Sequence, residues 1–416
     1  MRFRISFMFL IAALLACALP TPAPPPSAGE SDLQTRVAGT LMALTPRPSL
    51  TPNAGTPPSG LIVTAPPIAS VPGILPRPIY FIANRIGSDQ VWRVETDAKT
   101  LTQITKEEKP VTDFDVSPSD GTLAYVADNQ LILADRSGGK RHVLIAGPAL
   151  PPTPDNSYWS QQVSNPAWSP DGTRLAYAYN GIGVVTPSTG AIAILIANVI
   201  PPADKPGDIR LYRPSLWSPD GTKLLTEVSL YELGTLVILP AGGGSPLNTS
   251  IPEGPVCCQP VWSNDNSAIF LANDSVGLIT SGLWKIDAKT GAGATLIQGS
   301  AGGAFTFVGW PKQAPDGRLL YFFSQSAAMP QNGYWPTAMY ISAADGVTGR
   351  TQLRTDSYIV GEALWSPDAA TAVIGDISAL AGSAPFPWNG PLRLLKTDNS
   401  PAITLADSGR NLRWGK

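Results

Sequence analysis

The sequence predicts an all-β chain built from one four-stranded antiparallel unit repeated in a ring, a β-propeller of seven blades, with six as the alternative count. Three observations carry this. A turn phrase, Trp-Ser-Pro-Asp-Gly or a variant of it, recurs through residues 79–416. The interval between copies is nearly constant, and the residues around each copy parse as short strands separated by turn signals.

The phrases read DFDVSPSDGTLAYVA at Val116, PAWSPDGTRLAYA at Trp168, SLWSPDGTKLLTEV at Trp217 and PVWSNDNSAIFLA at Trp262. They continue as VGWPKQAPDGRLLYFF at Trp310 and ALWSPDAATAVIG at Trp365, and the closing NLRWGK gives a seventh match at Trp414. The intervals between these positions are 52, 49, 45, 48, 55 and 49 residues. A period of that size with short strands throughout marks a propeller or a solenoid.

In each unit a first strand ends at the tryptophan, the turn reverses the chain, and a second strand leaves as RLAYAY, KLLTEV, AIFLAN or RLLYFF. Proline presets φ at the first corner, aspartate bonds backbone downstream of itself, and glycine accepts positive φ. Asp171, Gly172, Asp220 and Gly221 are therefore structural turn residues. Third and fourth strands follow, such as GLWKIDA and ATLIQG. Four antiparallel strands in a repeat of this length make a propeller blade.

Two units depart from the pattern. At Trp262 the phrase loses its proline and glycine, and 310–317 carries three extra residues before Pro-Asp-Gly. The first unit (79–105) begins at a second-strand pattern, and NLRWGK is an inner strand with nothing after it. Together they form one blade shared by N- and C-terminal strands, which removes an open sheet edge. These phrases resemble the TolB-type repeat, a relative of the WD repeat, across essentially all of 79–416. The resemblance implies the propeller fold; because the TolB protein's own propeller has six blades, it also supplies the alternative count.

The chain opens MRFRISFMFLIAALLACALP, with Arg2 and Arg4 before an apolar run from Ile5 to Leu15. That is a secretory signal pattern, too short for a membrane span. Leu14-Leu15-Ala16-Cys17 resembles the bacterial lipobox, which implies a signal peptide over 1–16 and lipidation of Cys17. The other reading is Ala16-Cys17-Ala18 as an ordinary cleavage site. Residues 17–78 are a Pro/Ser/Thr-rich spacer of extended, semi-rigid character. They are interrupted by SDLQTRVAGTLMAL (31–44), where apolar residues at helical spacing suggest a short helix. The expected location is therefore outside the cytoplasm, anchored by lipid to the bacterial membrane or envelope.

Composition narrows function by exclusion. A net charge of −2, with 14% charged residues and no basic block, lacks the electrostatic footprint of a nucleic-acid binder. The single histidine, His142, lies on an expected outer strand, so neither a Ser-His-Asp triad nor a histidine-rich metal site can be assembled. No G-x-S-x-G elbow occurs. No cofactor and no metal are expected. Besides Cys17, the only cysteines are the adjacent pair Cys257 and Cys258. They read as a strained vicinal disulfide, as two reduced small residues, or as a metal or redox pair.

Strand direction places the loops that lead into the inner strands on one face, together with the loops joining second to third strands. The Ser-Pro-Asp-Gly turns lie on the other face. The loop face collects Tyr158, Trp159, Arg210, Tyr212, Arg213, Cys257, Cys258, Trp335 and Trp388 as candidates for contact with a ligand or partner. The alternative for the aromatics is that they cover the blades' apolar interior. The expected function is a non-catalytic binding or scaffold module for protein, peptide or glycan. Its rivals are a carboxylate-dependent glycan-active enzyme and a purely structural envelope protein. A deep funnel lined by carboxylates would favour the enzyme, a shallow aromatic face the binder, and a plugged channel the structural role.

Overall fold

The turn phrase does locally what its residues dictate. In the copy at Trp168 the Gly172 amide donates to the Ser169 carbonyl at 2.8 Å, with Gly172 at φ +70°. Asp171 accepts from the Ser169 hydroxyl at 2.5 Å and from the Thr173 amide at 3.0 Å. The Ser169 hydroxyl, followed by these other donors, holds the Asp171 carboxyl down to about 2. Where the sequence lacks glycine, Asn266 and Ala369 take its place with φ of 61° and 59°. The hairpin thus survives in both units.

In this computed structural model the described residues are 73–416 except 152–155, 203–207, 231–233, 252–258, 275–279, 302, 329–333 and 380–388. Cys17, the helix expected at 31–44, the Cys257-Cys258 pair and Trp388 lie outside them. Among the described residues no helix is long and apolar enough to cross a membrane.

The strands form antiparallel sheets in chain order. Blades 2 to 5 are four-stranded sheets starting at Val111, Ser164, Leu211 and Val261. Blade 6 carries a fifth short strand, Ser300–Ala301, before its inner strand Ala304–Gln313. One seven-stranded sheet holds the last blade and the first, joined through the long strand Ile403–Trp414. The first half of that strand pairs with Gly390–Lys396 of blade 7, with Ile403 opposite Leu394. Its second half is the inner strand of blade 1, with Trp414 opposite Ile79. The strands Ile79–Asn84 and Ile403–Trp414 therefore share a blade, and the ring formed by the described residues has seven.

The core confirms the count independently, since each apolar cluster lies between two adjacent blades and there are seven. Leu319 and Tyr321 pack toward blade 5, whereas Leu320 and Phe322 pack toward blade 7. Blade 1 meets blade 7 through Phe81 and Leu392, and meets blade 2 through Ile82 and Phe114. The remaining three joints follow the same rule. Both faces of a blade are buried, so its central strands read as continuous apolar runs such as LLYFF and AIFLA, without polar alternation.

Polar staples fix the joints. The indole N–H of Trp217 donates to the Ala167 carbonyl at 2.9 Å, and that of Trp262 to Leu216 at 3.3 Å. Trp365 and Trp414 reach the carbonyls of Trp310 and Trp365 in the same way. The tryptophan of the phrase therefore ties each of these blades to the one before it. Between blades 6 and 7, Arg354 is 2% exposed, pairs with Asp356, and donates to the carbonyls of Lys396 and Ser400.

One alignment from the sequence is corrected. Trp310 does not occupy the tryptophan slot of its unit. The hairpin hydrogen bonds of blade 6 are made by Ala314, whose amide meets the Arg318 carbonyl, so Gln313 holds that slot. Counted to residue 313 instead of 310, the two flanking intervals become 51 and 52 residues, and no insertion remains.

Candidate functional site

Seven inner strands run side by side around a channel without pairing to one another, so their backbone amides need other partners. The position four residues before the turn serine, or its counterpart, supplies them. Around the ring this position holds Asp113, Asn165, Pro214, Gln259, Trp310, Glu362 and Asn411. Asn165, Gln259, Trp310 and Asn411 adopt positive φ of 51°, 44°, 55° and 54°, a repeated bulge that turns the strand's amides across the joint. Asp113 accepts from the Asn165 amide at 3.0 Å and from the Asn411 side-chain amide at 3.1 Å, bridging both neighbouring blades. Gln259 accepts from the Trp310 amide at 2.7 Å, and Glu362 from the Leu412 amide at 2.8 Å.

Two residues nearer the turn stands a second tier: Asp115, Ala167, Leu216, Val261, Lys312, Leu364 and Arg413. Asp115 accepts from the Trp168 amide at 2.7 Å and pairs with Arg413 at 3.3 Å; Arg413 also lies 4.0 Å from Glu362. Side-chain exposures of 38% for Arg413, 24% for Glu362 and 19% for Asp115 show that water reaches these groups inside the channel. Protein nevertheless surrounds them. Burial pushes Asp113, Asp115 and Glu362 above the usual carboxylate range, with Arg413 pulling each back. For Arg413 burial opposes the charge, and the three carboxylates outweigh it.

Opposite Arg213, Glu227 is exposed to the channel; burial by the surrounding walls raises its pKa, and Arg213 counteracts the shift. Arg213 itself is lowered by burial and donates to the Ser229 hydroxyl at 3.0 Å. Just outside the channel wall Asp274 is 7% exposed and accepts from the Gln259 side chain at 2.9 Å. Burial pushes it up to about 6. Two connected cavities of about 410 and 570 Å³ occupy the channel, sharing Asn165, Glu227, Trp310 and Glu362 in their walls.

The residues singled out from sequence are scattered by the fold. Tyr158 and Trp159 sit on a short helix, Asn156–Gln161, with their rings edge to face at 4.9 Å and Trp159 43% exposed. This helix is held over the loop face by Asn129, which accepts from the Val163 amide and donates to the Gln161 carbonyl. Arg210 is exposed on the same face, bridged to Val199. Arg213 is half-buried on the inner strand of blade 4, opposite Glu227 across the hairpin.

Tyr212 is a correction: it is 7% exposed and packs in the core between blades 3 and 4. Successive strand residues point to opposite sides, so half-buried Arg213 faces away from that core, toward Glu227. Trp335 is half-buried and stacks on Phe307 at 6.2 Å, covering the interior of blade 6. His142 lies on an exposed outer strand.

The polar belt of the channel was missed. A signal for it existed, because five of the seven positions four before the turn residue are Asp, Asn, Gln or Glu in otherwise apolar strands. Among the described residues no group of three or more His, Cys, Asp or Glu is arranged to hold a metal ion.

No protein-family model and no curated relative matches the chain. Among solved structures, an oligogalacturonate lyase from Vibrio parahaemolyticus aligns with TM-score 0.50 at 12% identity, over 79% of this chain and 84% of that one. A protein from Lactobacillus plantarum aligns with TM-score 0.50 at 17% identity, over 82% and 99%. TolB from Acinetobacter baumannii aligns with TM-score 0.41 at 14% identity, over 81% and 82%. The two likenesses at TM-score 0.50 are to the fold alone, in keeping with the β-propeller described above.

Proposed function

We propose that the chain is a non-catalytic binding module, a propeller tethered to a membrane through a lipid on Cys17. Its loop face and channel mouth would engage a protein, peptide or glycan partner. The observation that carries this reading is the commitment of the channel's carboxylates. Asp113, Asp115 and Glu362 each accept a backbone amide from the next blade, so they hold the ring together. A general acid or base must instead be free to exchange a proton with bound substrate. Outside this belt the loop face offers exposed Trp159 and Arg210, with half-buried Arg213 on the inner strand below them, residue types that anchor interfaces.

A second reading rests on Glu227, which is exposed to the channel and makes none of these clamps across the blade joints. A carboxylate-dependent glycan-active enzyme would use it.

The test is a crosslinking pull-down from intact cells with the triple variant W159A/R210A/R213M beside the turn-face variant P219A. Capture lost in the triple variant and kept in P219A supports a loop-face binder; equal capture by both contradicts it. Turnover of a glycan by the purified chain that disappears in E227Q would establish the enzyme instead.

A further inference from the structure

We propose that Lys312 is the anchor of a carboxylate-binding site inside the channel, one that takes a small organic monoanion with an apolar body. The inference deepens the binding role proposed above and rests on it.

Lys312 stands in the second tier of the channel. Four of the seven positions there are apolar (Ala167, Leu216, Val261, Leu364), and the other two charges, Asp115 and Arg413, are spent on each other. Lys312 has no ion pair and no side-chain hydrogen bond among the described residues. It nonetheless lies in the wall of the cavity of about 410 Å³, half-buried, with Ser215, Leu216, Val261, Trp310 and Leu364 around the same space. An ammonium in such a place loses part of its hydration without a direct ion pair or hydrogen bond to replace it, which an anion in the cavity would offset. Burial lowers its pKa accordingly, with no opposing contribution. An aliphatic residue would fill the position as its counterparts do in four other blades.

The channel also selects the anion. Asp113, Glu227 and Glu362 line the same cavity, so a dianion such as phosphate meets three acidic groups for one lysine. A monocarboxylate needs only the single ammonium. Leu216, Val261 and Leu364 suit an apolar or aromatic body, and the volume falls within the range of small-ligand sites.

The test is calorimetric titration of the purified full chain with benzoate at fixed ionic strength, beside inorganic phosphate and chloride. The variants are K312M and K312R. Saturable benzoate binding is expected, weaker for phosphate and absent for chloride. Binding should fall about tenfold or more in K312M and be largely kept in K312R.

K312M should melt no lower than the unmodified chain, because the side chain removed has no partner to lose. A lower melting temperature would mark Lys312 as structural and overturn the site. So would absent benzoate binding, undiminished binding in K312M, or phosphate binding more tightly than benzoate. If this site fails while capture still depends on Trp159, Arg210 and Arg213, the loop-face reading stands without it. If capture is also independent of those residues, both fall.

Discussion

Replacing Arg413 with methionine tests whether the channel belt holds the ring. The guanidinium lies 3.3 Å from Asp115 and 4.0 Å from Glu362. At an effective dielectric near 20, attractions at such distances are each about 4–5 kcal/mol before solvation is counted. Desolvation cancels most of that. Because 38% of the Arg413 side chain remains exposed, the loss should sit below the 3–5 kcal/mol of a fully buried broken pair, at about 2–3 kcal/mol at pH 7.

The pH dependence supplies the sign. Asp113, Asp115 and Glu362 are already raised by burial, and without Arg413 they rise further. A carboxyl whose folded pKa exceeds its unfolded value destabilises the fold at high pH and ceases to do so as it takes up a proton. The R413M deficit should therefore shrink toward about 1 kcal/mol or less near pH 5. Urea denaturation at pH 5, 6, 7 and 8 measures it. A deficit under about 0.5 kcal/mol at pH 7, the usual range of a surface change, would show that Arg413 does not hold the belt, as would a deficit that does not vary with pH.

Asp274 should act in the same direction. Its pKa of about 6 is above the unfolded value, so D274N should stabilise by about 1–3 kcal/mol at pH 7 and by almost nothing at pH 4, read from thermal melts. Two glycines in identical turn phrases should behave differently. A Cβ on Gly172 would lie 2.2 Å from the Ser119 hydroxyl, whereas on Gly221 the nearest atom is Arg174 Nη2 at 3.4 Å. G221A should cost about 1 kcal/mol for its positive φ alone, and G172A about 2–4 kcal/mol, in chemical denaturation. Cells expressing the chain should incorporate labelled palmitate into it, and C17S should abolish the label.

The fold was legible because the propeller repeats its own punctuation. Pro170-Asp171-Gly172 and its copies are local turn chemistry, and local chemistry is written in neighbouring residues. The composite blade was legible for a similar reason: Ile79 starts like a second strand and Trp414 ends like a first. The exception, Trp310, shows the limit. A tryptophan is a conspicuous marker, but its slot is defined by the hairpin bonds of Ala314, and an aromatic identity cannot report those.

The channel site was less legible. Asp113 and Asn165 are 52 residues apart and meet only because blades 2 and 3 stand side by side. Their roles emerge when the units are stacked by register, which requires the correction at blade 6. Tyr212 and Arg213 illustrate the remaining difficulty. Adjacent in sequence, they point to opposite sides of the strand, Tyr212 into the core and Arg213 toward Glu227, and a bulge in the strand decides which is which; the register shifts between Pro214 and Leu216.

The proposed function places recognition on the loop face and leaves the turn phrase a structural role. Site-specific photocrosslinking in living cells addresses it most directly, with the crosslinker at Trp159 on the loop face and, separately, at exposed Pro219 in a turn. A discrete crosslinked species is expected from position 159 that disappears when R213M is added, and none from position 219. A species from position 219 with nothing from position 159 would contradict it.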